Sequence, residues 1–243
     1  MSIHWRFEQY QKVLSTQNYV FDAVDMDEPE GLVVQALQQQ GGKGRHGNQW
    51  TSPIGNLYMS VLLRPKCDLK DAGQLAFVVS VALSEALGEY IDTSKHIKTL
   101  KWPNDVLIDN RKISGILLES NIKDNQLNAI VLGMGLNIFK APELGIALND
   151  VARDPVYVNK VRDAILDKLS YYYNLWQEKG FAPIREAWLK KAHGVGKPIT
   201  ARLPSESFKG VFKGITDEGS LILDQDGVDK IIHAADVHFG DKE

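Results

Sequence analysis

Between positions 97 and 137 the apolar residues fall into short runs separated by turn chemistry, with no helix-length interval among them. Val106-Leu107-Ile108 is followed by Asp109-Asn110-Arg111, and then by the run Lys112-Ile113-Ser114-Gly115-Ile116-Leu117-Leu118-Glu119. Two apolar runs around a short Asp-Asn turn predict a hairpin. A further turn, Lys123-Asp124-Asn125, precedes a run over 126–136, and a first strand is expected at 97–101. Strands joined by tight turns pair antiparallel, whereas parallel strands need a crossover of about a dozen residues or more. The meander therefore predicts an α+β domain and argues against a Rossmann fold. Gly133 and Gly135, at its end, are too few for a dinucleotide fingerprint. They fit either a strand-end bulge or a close approach of ligand to backbone.

The flanking sequence adds layers to this sheet. Residues 4–14 predict an early strand, and 31–37 and 57–63 predict buried ones. Ser15-Thr16 stands just before the apolar-rich stretch 18–26, as a helix N-cap does, although a helix N-terminus also binds anions. Leu75, Val78, Val79, Ala82, Leu83, Ala86 and Leu87 recur at helical spacing and predict a helix over 71–91. Residues 138–157, with Pro142, Gly145 and Pro155, predict a loop. Asn159 is expected to cap a helix running to 178, with a shorter helix over 183–191. The Tyr171-Tyr172-Tyr173 run fits core and rim. Beyond the glycine-rich joint His193-Gly194-Val195-Gly196 come short runs at 197–203, 207–215, 220–223 and 228–233 with tight turns between them, which predict a small barrel. The expected division is a catalytic domain over 1–194 and a barrel domain over 195–243.

The least apolar stretch is 39–56, in which four glycines surround Lys43 and Arg45 before Trp50. Such a backbone wraps closely around a ligand, and its two cations suit phosphate or carboxylate oxygens. A solvated surface loop is the plain alternative, and the Gly-Lys-Ser/Thr ending of a phosphate loop is missing. The net charge of -3 supplies no basic field that would call for nucleic acid. A single cysteine, Cys67, excludes an internal disulfide and a cysteine-rich zinc site. No signal-like segment or membrane-length apolar run occurs, so a cytoplasmic protein is expected.

Ser15-Thr16, the glycine loop, Lys101-Trp102-Pro103-Asn104-Asp105 with Lys112-to-Glu119, and Gly133-to-Asn137 together resemble the biotin protein ligase family. The likeness runs from about Leu14 to the end of the chain, and Lys101-Trp102-Pro103-Asn104-Asp105 followed by Lys112-to-Glu119 is its most specific part. It implies a catalytic domain with a mixed or antiparallel sheet similar to class II aminoacyl-tRNA synthetases, plus a C-terminal SH3-like barrel. It implies two-step ligation with biotin and ATP as substrates and Mg²⁺ as the metal. Biotin's carboxylate attacks the α-phosphate, and a lysine of a biotin carboxyl carrier protein then takes the biotinyl group from the adenylate.

By the same resemblance, Ser15, Thr16, Gln17 and Gln39 hold the ureido ring, and Lys43, Gly44 and Arg45 close over the adenylate. Lys112 sits beside the biotin carboxylate and the α-phosphate; with Arg45 it is the expected catalytic pair. Asn104, Asp105 and Asn137 offer oxygens to Mg²⁺, with Asp105 the expected ligand. Trp50 anchors the end of the loop, and Gly115 and Gly133 let backbone approach the ligand. Lys43 stands where many members have Arg, His46 and Asn48 where basic residues are common, and Gln17 where Asn usually follows the Ser-Thr pair. Only about 14 residues precede Ser15, which predicts a ligase without an operator-binding domain. Carrier docking through an exposed sheet edge, a surface that forms a homodimer in some members, is left open in either form. A lipoate ligase of the same fold and a non-catalytic biotin- or adenylate-binding module are the competing readings.

Overall fold

The structure is a computed structural model that describes residues 3–203 and 205–239. In chain order, β1 (Arg6–Val13), α1 (Thr16–Asp25), β2 (Leu32–Gln39), β3 (Leu57–Leu63) and α2 (Leu75–Leu87) come first. The meander follows as β4 (Lys98–Lys101), β5 (Asp105–Ile108), β6 (Arg111–Lys123) and β7 (Gln126–Leu136). Next come α3 (Val158–Lys179) and α4 (Ala182–Leu189), and then β8 (Pro198–Arg202), β9 (Ser207–Ile215), β10 (Leu221–Gln225), β11 (Val228–Ile232) and β12 (Asp236–Phe239). The first sheet has the order β1-β2-β3-β7-β6-β5-β4, and the second β11-β10-β9-β8-β12. The α+β expectation holds: every pair in the first sheet is antiparallel except β1 with β2, which run parallel across α1. Among the described residues no helix is long and apolar enough to cross a membrane.

Burial explains the layering. All seven residues of β3 are buried, as a strand covered on both faces requires. Leu57, Met59, Val61 and Leu63 point into the main core with α2, α3 and α4. On the opposite face, Val20, Ala23 and Val24 of α1 pack on Leu32, Val34, Leu62 and Val131. One register step further along that face, Ser60 pairs with Gly133, and Gly135 with Gly115. The side chains become small just where the helix ends, and that leaves a hollow over the sheet.

Several boundaries differ from the sequence expectation. The α2 segment begins at Leu75, and positions 69–74 form a 3-10 turn that contains Gly73. Tyr157, not Asn159, precedes α3; the Asn159 side chain is drawn away to accept a hydrogen bond from Gln35 at 3.3 Å. The strand at 236–239 was not expected, because it is four residues long and carries a single buried apolar side chain, Val237. The second sheet shares the main core through Ile199, Phe212, Leu221 and Val237. It is also tied to the first by Trp102 Nε1, which donates to the Gly219 carbonyl at 3.0 Å.

The loop over 138–157 is held at its root by Asn56. The buried Asn56 Oδ1 accepts from the N–H groups of Ile138, Phe139 and Lys140 at 2.9, 3.0 and 3.0 Å, and its Nδ2 donates to the Lys140 carbonyl at 2.8 Å. Asn56→Ala leaves the buried Ile138 N–H and two half-buried donors without a partner and is expected to cost about 1–3 kcal/mol, read as a lower urea midpoint. An unchanged midpoint contradicts that role.

Candidate active site

The hollow is a cavity of about 510 Å³, and all fourteen candidate residues from Ser15 to Asn137 line it. Its walls are the N-terminus of α1, the glycine loop, the end of the meander and β12.

One end is polar and buried. Ser15 caps α1 and its Oγ accepts from the Gln17 N–H at 3.3 Å, so it is both a cap and a lining residue. Thr16 donates through its N–H and Oγ to Gln39 Oε1, at 2.8 and 3.2 Å, and its hydroxyl meets Ser60 Oγ at 2.7 Å. Gln39 Nε2 donates to Ser52 Oγ at 3.1 Å. Buried polar groups demand partners, and this chain of four satisfies itself and so holds its shape.

The floor is made by glycines. A Cβ at Gly135 would lie 2.5 Å from the indole nitrogen of Trp50, so only glycine lets that ring lie on the sheet. The ring lies against Gly135 and Gly115 at the end of the glycine loop. The loop itself is folded: Trp50 N–H donates to the Gly42 carbonyl at 2.9 Å, and Gly44 N–H to the Asn48 carbonyl at 2.7 Å. Lys43 and Gln49 form a bridge across it.

The other end is charged. Lys112 Nζ lies 2.6 Å from Asp105 Oδ1, and the two side chains are 40% and 17% exposed. Arg45 donates to Asn104 Oδ1 at 3.4 Å and faces Asp236 of β12 at 3.8 Å. Burial pushes the Arg45 guanidinium below its ordinary value, and Asp236 and Asp105 pull it back. Burial likewise lowers the Lys101 ammonium, against the pull of Asp105 and with a push from Lys112. Asn104 Nδ2 donates to the Ile116 carbonyl, and Asn137 Nδ2 to the Lys112 carbonyl at 3.4 Å. Both amides thus brace the strands that carry Lys112. Among the described residues no three His, Cys, Asp or Glu side chains are grouped to hold a metal.

The cavity also contains residues the sequence reading passed over. Lys101 stood in the Lys-Trp-Pro-Asn-Asp motif and was visible there. Ser60 and Leu144 had no signal beyond a strand and a loop. Asp236, Val237 and His238 come from the second sheet, and nothing in a short terminal run connects them to residues nearly two hundred positions earlier.

The arrangement is a buried polar recess leading to a cluster of cations, suited to a substrate with a polar ring at one end and anionic oxygens at the other. The family model described as "Biotin/lipoate A/B protein ligase family" matches residues 10–137, and that of the "Biotin protein ligase C terminal domain" matches 194–240. A biotin--[acetyl-CoA-carboxylase] ligase of Paracoccus denitrificans is 39% identical over 217 residues, covering 85% of this chain and 90% of the relative. The bifunctional ligase/repressor BirA of Bacillus subtilis is 32% identical over 241 residues, covering 95% of this chain and 73% of the relative. Among solved structures, the biotin protein ligase from Aquifex aeolicus in complex with biotin and ATP superposes with a TM-score of 0.82 at 25% identity, covering 97% and 99% of the two chains. With its motifs gathered around one cavity and both of its sheets matched, the chain belongs to the biotin/lipoate A/B protein ligase family, in its biotin protein ligase group.

Proposed function

We infer that this chain is an ATP-dependent biotin--[acetyl-CoA-carboxylase] ligase, joining biotin to a lysine of a biotin carboxyl carrier protein through biotinyl-5'-AMP. The observation that carries the reading is Lys112, held by Asp105 at 2.6 Å between the buried polar recess and Arg45. In the first step a biotin carboxylate oxygen attacks the α-phosphorus, and the bond to the bridging oxygen breaks to release pyrophosphate. Two anions must meet for this. A cation already fixed at the meeting point stabilises the charge as it develops, without reorganising at that moment. Asp105 keeps the ammonium in place, and Arg45, held by Asn104 and Asp236, is the cation this reading gives to the phosphates. In the second step the neutral amine of the carrier lysine attacks the acyl carbon. AMP leaves with the bonding pair, and the amine gives up a proton.

Mg²⁺ would fit this donor set only as an ion held largely by nucleotide phosphates, with Asp105, whose Oδ1 already holds Lys112, as the protein carboxylate. Asn104 and Asn137 contribute at most an amide oxygen each, and the Asn104 oxygen already accepts from Arg45. Such an ion would offset phosphate charge. The division into a catalytic domain up to residue 194 and a barrel domain from 195 belongs to the same reading.

Thr16→Val removes the hydroxyl shared by Gln39 and Ser60 and is expected to raise the Kd for biotin about tenfold. The KM for ATP should not move; equilibrium binding reads the first and steady-state kinetics the second. The experiment that tests the function is ATP–pyrophosphate exchange with Mg²⁺, with biotin compared against lipoate. Exchange that depends on biotin is the expected result. Exchange with lipoate alone assigns the chain to the lipoate branch, and binding of biotin without exchange makes it a regulatory module.

A further inference from the structure

Gln17 is buried, and its amide is satisfied at one end only. Nε2 donates to Glu119 Oε2 at 2.8 Å and approaches the Val131 carbonyl at 3.5 Å, while Oε1 is buried with no donor among the described residues. Both groups at the Nε2 end are acceptors: a carboxylate oxygen and a carbonyl. Reversing the amide would set oxygen against oxygen, so the network assigns its orientation. Oε1 is therefore fixed on the other side, over Gly133, where an added Cβ would lie 2.8 Å from it. Gln17 and Gly133 both line the cavity, and a buried acceptor without a donor costs free energy until a donor arrives.

We propose that Glu119 is a positioning residue for substrate selection: by fixing the Gln17 amide it presents Oε1 as an acceptor to a ring N–H of the bound substrate. The recess then favours a cyclic urea over a ring without N–H, such as a dithiolane. The proposal rests on the ligase reading above. Glu119 sits on β6 opposite Val131, one register row beyond the Leu117–Gly133 pair. It faces the cleft beneath the glycine loop and acts on the substrate through Gln17.

The test is calorimetric binding of biotin and of lipoate to the full chain, with KM for ATP measured in the exchange assay. Glu119→Gln preserves size but offers a donor as well as an acceptor, so the Gln17 amide is released to either orientation. Gln17→Met removes the acceptor at similar volume. Each variant is expected to bind biotin about tenfold more weakly, with lipoate binding and the KM for ATP unchanged. The double variant should lose no more than either single one, because Glu119 acts only through Gln17. Wild-type biotin affinity in Glu119→Gln, or losses that add in the double variant as two independent defects would, overturns the proposal. If the wild-type chain binds biotin and the variants bind it equally well, only this inference falls. If the wild-type chain does not bind biotin at all, the ligase reading falls first.

Discussion

Replacing Lys112 with alanine is expected to lower biotin-dependent pyrophosphate exchange by about 10²–10³-fold while the protein stays folded. The fold is insulated because the ammonium is partly exposed and, among the described residues, its one ionic partner is Asp105, at 2.6 Å. Truncation leaves that carboxylate facing the site of phosphate attack, so the variant loses a favourable charge and exposes an unfavourable one. Lys112→Arg restores the charge but not its place, since a planar guanidinium is broader than an ammonium, and only partial recovery is expected. Exchange by Lys112→Ala within a few-fold of wild type would remove Lys112 from the chemistry.

The largest stability effect is expected at Trp188, which is fully buried on α4. Its ring stands edge-on to Phe77 of α2 at 5.3 Å, and Phe77 meets Phe181 in the same manner at 5.3 Å. The Trp188 indole nitrogen has no hydrogen-bond partner among the described residues, so truncation sacrifices packing. Trp188→Ala is expected to destabilise by about 3–5 kcal/mol, because the surrounding side chains cannot collapse into a cavity of that size. Phe77 also lies against Gly219, beside the carbonyl that takes the Trp102 hydrogen bond, so the loss should spread to the seam between the sheets. Denaturant unfolding followed by two probes measures it; a shift under 1 kcal/mol would show that the cavity relaxes.

The meander was legible because its turns advertise themselves: Asp109, Asn110, Asp124 and Asn125 all take positive φ, which Asp and Asn tolerate better than most residues. The candidate site was legible where its residues lie in compact motifs, and the cavity gathers all fourteen. What escaped was set by distance in the chain. The parallel pairing of β1 with β2 depends on how α1 crosses the sheet, and no local pattern encodes it. Asn159 looks like a cap from its neighbours, yet its oxygen is claimed by Gln35, 124 positions away. Asp236 reads as an ordinary surface acid until β12 carries it to Arg45.

That last contact bears on how the chain can be cut, swapped or allowed to diverge. The glycine-rich joint near residue 194, the domain boundary of the proposed reading, is where a protein engineer would graft a related terminal module. The seam of the polypeptide and the seam of the reaction chamber do not coincide, however, because Asp236, Val237 and His238 wall the cavity from beyond the joint. A grafted module imports its own side chains into the chamber and sets the tether on Arg45 anew. Chimaeras built at that joint should therefore differ in adenylation as well as in carrier choice, and residues 45 and 236 are expected to vary in concert rather than one by one.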